Sequence, residues 1–217
     1  MTRLTFDITM SLDGFIAGPN MDREHGLGRG GERLHEWGYE TEAFRESHGR
    51  SGGVRNRDSE LLEETFRAAG AIVMGRNMFG GGQGPWGENE AWGHWEGWWG
   101  DEPPFHMPVF VITHHEREPL VKGDTTFTFV TDGIESALEQ AQAAAGDKSV
   151  ALGGGADVAQ QYLAAGLIDE LQIHIAPVLL GAGVRLFDNL ADAHIELEID
   201  RVVESPAVTH IRYRVVK

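Results

Sequence analysis

The segment Val150-Ala151-Leu152-Gly153-Gly154-Gly155-Ala156-Asp157-Val158 is the most informative part of the sequence about the fold. Its apolar start predicts a buried strand, the glycines interrupt that strand, and a helix with Tyr162 and Leu163 on its inner face follows. Glycine backbone can turn sharply out of a strand and let a phosphate approach closely. The free N–H groups at the start of the helix would then bind the anion. Because the full G-x-G-x-x-G spacing is missing, a tight strand–helix turn without a ligand is the alternative interpretation.

Two further strands are predicted to end in polar residues. The apolar run 71–74 leads into Gly75-Arg76, and the run 109–112 leads into Thr113-His114. Ligands of open α/β sheets bind beyond the carboxyl ends of the strands. The guanidinium of Arg76 suits bidentate phosphate binding, and a hydroxyl and an imidazole at the next strand end could complete a pocket for a 2′-phosphate. The alternatives are a surface arginine beside the sheet and a polar loop, but together the strand ends favour a phosphorylated dinucleotide.

The rest of the sequence predicts an α/β protein with a mixed sheet, because short buried strands alternate with helices before a strand-rich end. One helix begins at Asp58, where acidic residues crowd the first turn, and Gly70 can close it. Asp132, with Glu135 three residues later, predicts a capping box for a helix that ends at Ala145. The other predicted elements are a short helix over 32–47 and strands over 4–10, 126–130, 171–178, 195–203 and 208–216.

Composition and charge restrict the class of function. The 217 residues suffice for a single domain. The formal net charge of −16 disfavours nucleic acid as a partner, since such binding depends on Lys and Arg neutralising phosphates. No apolar stretch is long enough to cross a bilayer, so no membrane partner is expected, and we expect no secretory signal. With no cysteine, disulfides and thiolate chemistry are excluded, and a cytoplasmic location is expected.

Several motifs carry a resemblance to a known family. They are Ser11-Leu12-Asp13-Gly14-Phe15-Ile16-Ala17, Met74-Gly75-Arg76, Gly153-Gly154-Gly155, Gly166-Leu167-Ile168-Asp169-Glu170-Leu171 and Pro177-Val178-Leu179-Leu180-Gly181-Ala182-Gly183. With this order and spacing the sequence resembles the dihydrofolate-reductase-like superfamily, in particular the reductase domain of the bifunctional riboflavin-biosynthesis deaminase-reductases and their stand-alone relatives. The resemblance implies a three-layer sandwich whose central mixed, mostly parallel sheet is flanked by helices. It also implies one reductase domain over residues 1–217, with insertions at about 21–57 and 80–107.

The resemblance also implies a cofactor and the residues that bind it. NADPH is expected in preference to NADH, and a homodimer is consistent with the association of related stand-alone domains. Ile16 and Ala17 would contact the nicotinamide end, and the loop at Asp13 would border a small heterocyclic substrate. The residues implied for the pyrophosphate and the 2′-phosphate are Gly75, Arg76, Asn77, Met78, Thr113, His114, Gly153, Gly154, Gly155, Ala156, Asp157 and Val158.

The substrate is less well defined, because the motifs point to two branches of this superfamily. The riboflavin-pathway reductases typically carry a substrate-binding glutamate just before the phosphate turn, where this sequence has Gly153. Dihydrofolate reductases place a carboxylate at the start of the helix before the Gly-Arg strand, and Asp58 stands near that point. Asp58 would protonate a substrate nitrogen while NADPH delivers hydride. The alternatives are that Asp58 is only the helix N-cap, or that Glu60 or Glu63 is the acid.

Other functions and roles stay open at this point. A protein that binds NADPH without catalysis would keep the phosphate contacts and lack the acid. A metal hydrolase is disfavoured, and no metal site is expected, because no H-E-x-x-H or similar spacing occurs. The histidines considered for it are His94, His106, His114 and His115. The five tryptophans within residues 86–99 could cover a flat substrate, pack an oligomer interface or fill a thin part of the core.

Overall fold

A computed structural model describes residues 2–190 and 194–217, which form one large sheet with helices on its faces. The strands are β1 (Leu4–Ser11), β2 (Phe15–Ala17), β3 (Ala69–Gly75), β4 (Val109–Ile112), β5 (Leu120–Lys122), β6 (Thr125–Val130), β7 (Ser149–Gly154), β8 (Glu170–Ala176), β9 (Val184–Arg185), β10 (Leu197–Glu204) and β11 (Thr209–Val215). The helices are α1 (Glu36–Tyr39), α2 (Glu42–Ser47), α3 (Arg57–Ala68), α4 (Arg76–Phe79), α5 (Ile134–Ala145) and α6 (Ala156–Ala164), and a 3-10 turn covers Gly31–Leu34. None of the helices in these ranges has the length and apolar character needed to span a membrane.

The large sheet is mixed and mostly parallel. Within the described residues its strand order is β10-β11-β8-β1-β7-β3-β4-β6-β5. The strands from β8 through β6 in this order pair in parallel, whereas β10, β11 and β5 run antiparallel to their neighbours. β2 and β9 form a separate two-stranded antiparallel sheet. The architecture is the flanked, mostly parallel α/β sheet that the sequence predicts, and the parallel strands present their carboxyl ends along one edge.

The two faces of the sheet differ in polarity at β1. Leu4 and Phe6 are fully buried in the larger hydrophobic core, to which α5 and α6 contribute residues such as Leu138 and Tyr162. Asp7 follows Phe6 and points to the opposite face, where the α3 side chain of Thr65 donates a hydrogen bond to it at 3.0 Å. Since side chains alternate along a strand, α5 and α6 cover an apolar layer while α3 covers a polar one.

The predicted end of the helix that contains Asp58 was wrong. Gly70 does not terminate it, because α3 leads into β3 at Ala69 without a connecting turn. Gly70 itself lies in the strand, where an added Cβ would meet the carbonyl oxygen of Ala145 at 2.6 Å. The glycine is therefore required by close packing of α5 on β3, and its apparent role as a helix terminator came from its position alone.

Two further local predictions were also wrong. The capping box of Asp132 and Glu135 does not form, since the N-cap of α5 is Gly133 without a side-chain hydrogen bond. The region 32–47 forms a 3-10 turn and two short helices instead of one helix. Thr41 causes the last interruption, because its hydroxyl accepts a hydrogen bond from the N–H of Phe44 and starts a new helix.

Candidate functional site

The three strand ends that the sequence predicts to converge lie side by side. β7, β3 and β4 are parallel neighbours in the sheet. Met74 pairs with Gly154, and Gly75 pairs with Ile112, so the three strands end at nearly the same height. The glycine run, the Gly75-Arg76 pair and Thr113 therefore share one edge of the sheet. This edge is the candidate functional site.

The glycine turn leaves the first turn of α6 open to a ligand. An added Cβ on Gly155, the N-cap of α6, would meet nothing within 4 Å, and no side chain caps this helix end. On Gly75 a Cβ would lie 2.7 Å from the Cγ2 atom of Val158, so α6 packs directly on the end of β3. Ala156 and Val158 are buried in the core, which leaves only their backbone N–H groups for a ligand. Free backbone N–H groups of this kind at the start of a helix are suited to binding an anion.

The side chains around the glycine turn fix its shape. Asn77 donates a hydrogen bond to the carboxylate of Asp157 at 3.3 Å, which links α4 to the first turn of α6. Met78 packs on the strand itself, because a Cβ on Gly153 would lie 3.2 Å from its sulfur. A larger side chain at residue 153 would have to displace Met78. This contact explains why the glutamate of the riboflavin-pathway reductases would not fit here without rearrangement.

Arg76 has buried donors without a partner. Its Nε and Nη2 atoms are the only buried side-chain nitrogen or oxygen atoms of the described residues that lack a hydrogen bond. The guanidinium lies flat against an indole, with Cζ 3.8 Å from the ring centroid of Trp86. Burial, with a smaller effect of the nearby Arg117, lowers the pKa of Arg76. Leaving a buried donor unpaired costs free energy. An anionic ligand that accepts hydrogen bonds from Arg76 would therefore be favourable.

Trp86 supports a pair of arginines rather than a single one. The Cζ atom of Arg117 lies 4.9 Å from the same indole ring. The indole N–H donates to the carbonyl oxygen of His115 at 2.9 Å, which ties the ring to the segment after β4. The Thr113 hydroxyl oxygen accepts from the N–H of His115, and His114 is exposed. Two guanidinium groups, a buried hydroxyl and an exposed imidazole thus lie next to the end of β4.

The other tryptophans of this segment pack within the protein. Trp95 donates its indole N–H to the carbonyl oxygen of Phe79, and Trp98 donates to that of Met78, so both cap the carboxyl end of α4. Trp99 stacks on Phe127, and Trp92 packs edge-on against Trp95 and Trp98. Of the three roles considered for these residues, these contacts favour filling a thin part of the core.

Asp13 connects the loop after β1 to the segment after β8. One carboxylate oxygen accepts from the Ser11 hydroxyl at 2.6 Å and from the Leu180 N–H, and the other accepts from the Gly181 N–H at 2.7 Å. These hydrogen bonds, above all the one from Ser11, hold the pKa of Asp13 below its usual range. Ile16 and Ala17 are buried in β2, which pairs with β9. Asp13 therefore holds the loop in place, and a role in substrate binding stays a prediction.

Asp58 is buried and does not cap its helix. It is the second residue of α3 and only 2% exposed. The N-cap is Asn56, whose side-chain oxygen accepts from the N–H of Ser59 at 2.9 Å, so the alternative of a simple N-cap was wrong. One oxygen of Asp58 instead lies 2.9 Å from Nε2 of His210 in β11. A buried carboxylate with an imidazole partner is a group that can hold or release a proton.

The competing acids of α3 point elsewhere. Glu60 pairs with Arg57, and Glu63 pairs with Arg67, in surface ion pairs. Both are tied to arginines on their own helix, whereas Asp58 turns toward the sheet. Among the three acids considered from the sequence, Asp58 alone has the buried position that a catalytic proton donor needs.

The sequence analysis did not identify the residues that contact Asp58 and its histidine. Nδ1 of His210 lies against His174 in β8, which in turn contacts Asp7 in β1. One signal was available: Gln172 and His174 occupy alternate positions of β8, and the residues that flank each of them are apolar. Two polar side chains on one face of a buried strand indicate a polar layer. Which helix covers that layer is a long-range fact that the pattern does not contain.

The polar layer lies close to the glycine turn. His174 pairs with Thr9 of β1, and Leu152 of β7 pairs with Phe6 of the same strand. By this register Gly154 stands about level with residue 8, two strands away from His174. Adjacent strands are about 4.8 Å apart, so the two backbone positions are separated by roughly 10 Å. The sheet edge that carries the glycine turn and the polar layer that contains His174 thus both lie near the carboxyl end of β1.

The described residues contain no group of three or more His, Asp or Glu side chains arranged to hold a metal ion. The geometry defines an α/β protein with a candidate ligand site at the carboxyl ends of parallel strands. The candidate site consists of backbone N–H groups, two neighbouring arginines and a buried acid. The model of the RibD C-terminal domain matches residues 2–211, and the protein belongs to this family.

Solved structures share the fold. A protein from Shewanella sp. PV-4 assigned to riboflavin biosynthesis is 23% identical, with full coverage of both chains and a TM-score of 0.63. A diaminohydroxyphosphoribosylaminopyrimidine deaminase/5-amino-6-(5-phosphoribosylamino)uracil reductase from Thermotoga maritima is 15% identical with a TM-score of 0.60; the match covers 99% of this protein and 57% of that one. Dihydrofolate reductase from Enterococcus faecalis, complexed with NADP(H), is 12% identical with a TM-score of 0.52, over 99% and 97% of the two chains. The fold is therefore dihydrofolate-reductase-like. Among curated proteins, none matches this sequence.

Proposed function

We propose that this protein is an NADPH-dependent reductase that transfers hydride to a small heterocyclic substrate, of the 5-amino-6-(5-phosphoribosylamino)uracil reductase or dihydrofolate reductase type. Membership of the RibD C-terminal domain family and the dihydrofolate-reductase-like fold support a reductase of this kind. The observation that carries the cofactor assignment is the unpaired, buried guanidinium of Arg76 at the end of β3.

The residues present fit a phosphorylated dinucleotide. The unpartnered Nε and Nη2 atoms of Arg76 match two oxygens of one phosphate, and Arg117 beside it adds a second positive charge. The open first turn of α6 suits the pyrophosphate, because its backbone N–H groups face a space that a Cβ on Gly155 would leave free. Two separate anion positions on one sheet edge favour NADPH over NADH.

Asp58 is the proposed proton donor. When bound, NADPH would supply a hydride for an electrophilic carbon of the substrate. Asp58 gives a proton to the attached nitrogen, so that the carbon–nitrogen double bond becomes a single bond. The burial of Asp58 keeps water away from the acid, and its imidazole partner His210 can replace the lost proton. The backbone contacts of Asp13 hold the loop that leads to Ile16 and Ala17.

The test combines cofactor titration with a substrate panel. NADPH oxidation is followed by loss of cofactor absorbance with 5-amino-6-(5-phosphoribosylamino)uracil and with dihydrofolate. Turnover of either compound is expected, and Asp58→Asn should lower kcat by roughly 10²- to 10⁴-fold, the usual contribution of a positioned acid, while the Kd for NADPH stays the same. Glu60→Gln, at an exposed acid of the same helix turn, is the matched control and should leave kcat unchanged.

Two outcomes would contradict this proposal in different ways. Tight NADPH binding without oxidation in the presence of either compound would favour a binding protein without catalysis. A variant Asp58→Asn that turns over normally but melts at a lower temperature would make Asp58 a structural residue only.

A further inference from the structure

A row of titratable side chains lies between α3 and the sheet. We call it the acid–histidine row; its members, in order of contact, are Asp58, His210, His174 and Asp7. The Asp58 oxygen and His210 Nε2 are 2.9 Å apart, the two histidine Nδ1 atoms are 2.5 Å apart, and His174 Nε2 lies 2.8 Å from the Asp7 oxygen. The two histidines are 1% and 2% exposed, so their ring nitrogens depend on one another and on the carboxylates for hydrogen bonds.

The contacts of the row require one proton more than two neutral imidazoles contain. Each of the three contacts needs a single proton, since two protons would collide and two bare lone pairs would repel. Two neutral imidazoles bring two protons, so a third must be shared along the row. That proton can rest on Asp7, His174, His210 or Asp58, and in every case each contact still holds one proton. The row thus carries one mobile proton between two carboxylates.

Only one end of the row reaches solvent. The Asp7 side chain is 23% exposed, whereas that of Asp58 is 3% exposed. Asp7 lies at a shallow pocket that Glu64, Thr65, Gln172 and Arg212 also line. Its second oxygen accepts hydrogen bonds from Thr65 and Gln172, which hold it in place beside that opening. A proton can therefore enter from water at Asp7 and cannot enter directly at Asp58.

The remaining groups around the row are accounted for. The side chain of Gln172 accepts from Arg212, and Arg212 pairs with Glu64 of α3, which also pairs with Arg201 of β10. These groups balance one another at the solvent side. On the other side His35, with Glu32 near it, approaches His174. The indole ring of Trp37 covers both imidazoles, with ring centroids 4.9 and 5.3 Å away, and excludes water from the middle of the row.

The pKa shifts of two members of the row, His210 and Asp7, agree with a mobile proton. Burial lowers the pKa of His210, against the opposing effect of its hydrogen bond with Asp58. Burial would raise the pKa of Asp7, but the neighbouring His174 and the hydrogen bonds from His174, Thr65 and Gln172 bring it below its usual range. Both residues therefore release the mobile proton readily. They act as transit points for this proton.

We propose that the acid–histidine row is a proton relay that reloads Asp58 from solvent after each turnover. This inference rests on the proposed function, in which Asp58 protonates the substrate. Asp7 takes a proton from water and passes it to Nε2 of His174. The proton on Nδ1 of His174 moves to Nδ1 of His210, and the proton on Nε2 of His210 moves to Asp58. Each transfer breaks one N–H or O–H bond and forms one, and Asp58 regains the proton that it gave to the substrate. Both imidazoles end in the opposite tautomer, so each must return to the first tautomer before the next transfer.

The alternative is that the row only stabilises the fold. A structural role predicts that each substitution lowers stability, by coupled amounts because the residues share one hydrogen-bond network, and lowers kcat only as far as it disturbs the fold. A relay predicts that interrupting the row once is as harmful to turnover as interrupting it twice, because all members act on the same step. A kcat that falls while the protein stays folded, and that falls no further in the double variant, therefore separates the relay from a structural role.

The variants remove the relay and keep the shape. His210→Gln and His174→Gln each retain a side-chain amide near the position of Nε2 but cannot pass a proton. Asp7→Asn removes the entry point, at a part-exposed position that tolerates substitution better than the buried ones. Thr9→Val is the matched control: Thr9 is a β1 residue paired with His174, is 3% exposed, and contacts Trp37 rather than the row.

The first measurement uses the protein without any ligand. In ¹⁵N-histidine-labelled protein, a strongly deshielded proton coupled to both Nδ1 atoms is expected in the native protein and in Thr9→Val. It should disappear in His210→Gln. Imidazole ¹⁵N shifts that show no proton shared by the two Nδ1 atoms would overturn the relay, whatever the protein catalyses.

The second measurement is turnover with NADPH and the panel compound that is reduced. Each of the three relay variants should lower kcat by roughly 10- to 100-fold, less than loss of the acid itself, with the Kd for NADPH unchanged. The double variant Asp7→Asn/His210→Gln should be no slower than the worse single variant, and Thr9→Val should match the native rate. Losses that multiply in the double variant, or native turnover in Asp7→Asn, would overturn the relay. Native turnover in Asp58→Asn would instead overturn the proposed function.

Discussion

At the scale of single residues, Arg76 is the one described residue with buried side-chain donors that lack a hydrogen-bond partner. A guanidinium with two buried unpaired nitrogens is held against Trp86 although no protein group satisfies it. Leaving such donors unpaired typically costs about 1–3 kcal/mol per group, so the site has given up stability in the absence of its ligand. Binding residues commonly have this property: their position lowers the stability of the free protein and becomes favourable when the ligand, here an anion, binds.

Replacing this arginine should separate the two nicotinamide cofactors. Arg76→Ala is expected to raise the Kd for NADPH by roughly 10- to 100-fold, because a hydrogen bond to a charged group contributes about 1.5–3 kcal/mol, and to change the Kd for NADH little. Fluorescence titration of both cofactors measures this. Arg23→Ala, at an arginine 5.8 Å from the Trp95 ring, is the control and should behave like the native protein. Equal losses for NADPH and NADH would show that Arg76 does not contact the 2′-phosphate.

Sequence and structure agree best on residues whose role is local. Gly75 and Gly155 could be chosen from the sequence because a strand end followed by glycine is a local pattern, and the structure explains both by packing and open space. Asp58 could also be chosen, but its partner His210 lies 152 positions away in the sequence. A histidine in a strand has no local feature that distinguishes a hydrogen-bonded partner from a surface residue. The candidate acid was therefore predictable, and the row behind it was not.

At the scale of elements, the long strands and helices followed from apolar periodicity and the short ones did not. β4 matches the predicted run 109–112, and the predicted α3 and α6 differ from the structure only at their ends. β2, β5 and β9 were missed, because strands of two or three residues contain too few positions to show alternation. β2 and β9 pair across a long stretch of sequence, and the hydrogen bond of Asp13 with the Gly181 N–H joins the same two segments.

The layer beneath α3 should make stability depend on pH. Burial lowers the pKa of both His35 and His210 from the ordinary value of 6.5, so the folded protein binds fewer protons there than the unfolded chain. Stability from these groups is present above pH 6.5 and is lost as the pH falls below it through the folded pKa values. The free energy of unfolding in urea should therefore decrease below that pH, by at most about 1.4 kcal/mol per pH unit for each such group.

Two histidine variants test whether this pH dependence arises in the polar layer beneath α3. His35→Gln should flatten the decrease, because one of the two groups no longer titrates. His94→Gln is the control, since the His94 side chain is 82% exposed. A slope that is unchanged in His35→Gln and reduced in His94→Gln would place the effect on the surface instead of in the buried layer.

At the scale of the whole molecule, the negative net charge of the protein repels the anionic cofactor that is proposed for the site. The protein carries a formal charge of −16, and the proposed cofactor is a polyanion. Long-range repulsion acts during encounter, whereas Arg76 and Arg117 act only after contact, at distances over which salt screens little. The two effects fall on different rate constants, so that salt should accelerate association even though the final contacts are ionic.

This separation can be measured by stopped-flow mixing with NADPH at increasing sodium chloride. Between about 0.01 M and 0.1 M salt the screening length falls from about 30 Å to about 10 Å, so the association rate constant should rise severalfold. The dissociation rate constant should also rise, but less, because the arginine contacts are partly buried. In Arg76→Ala the slope of the association rate with salt should stay positive, since the repulsion belongs to the whole surface. An association rate constant that instead decreases with salt would contradict this expectation. It would mean that attraction by Arg76 and Arg117 outweighs repulsion by the net charge while the cofactor is still approaching the protein.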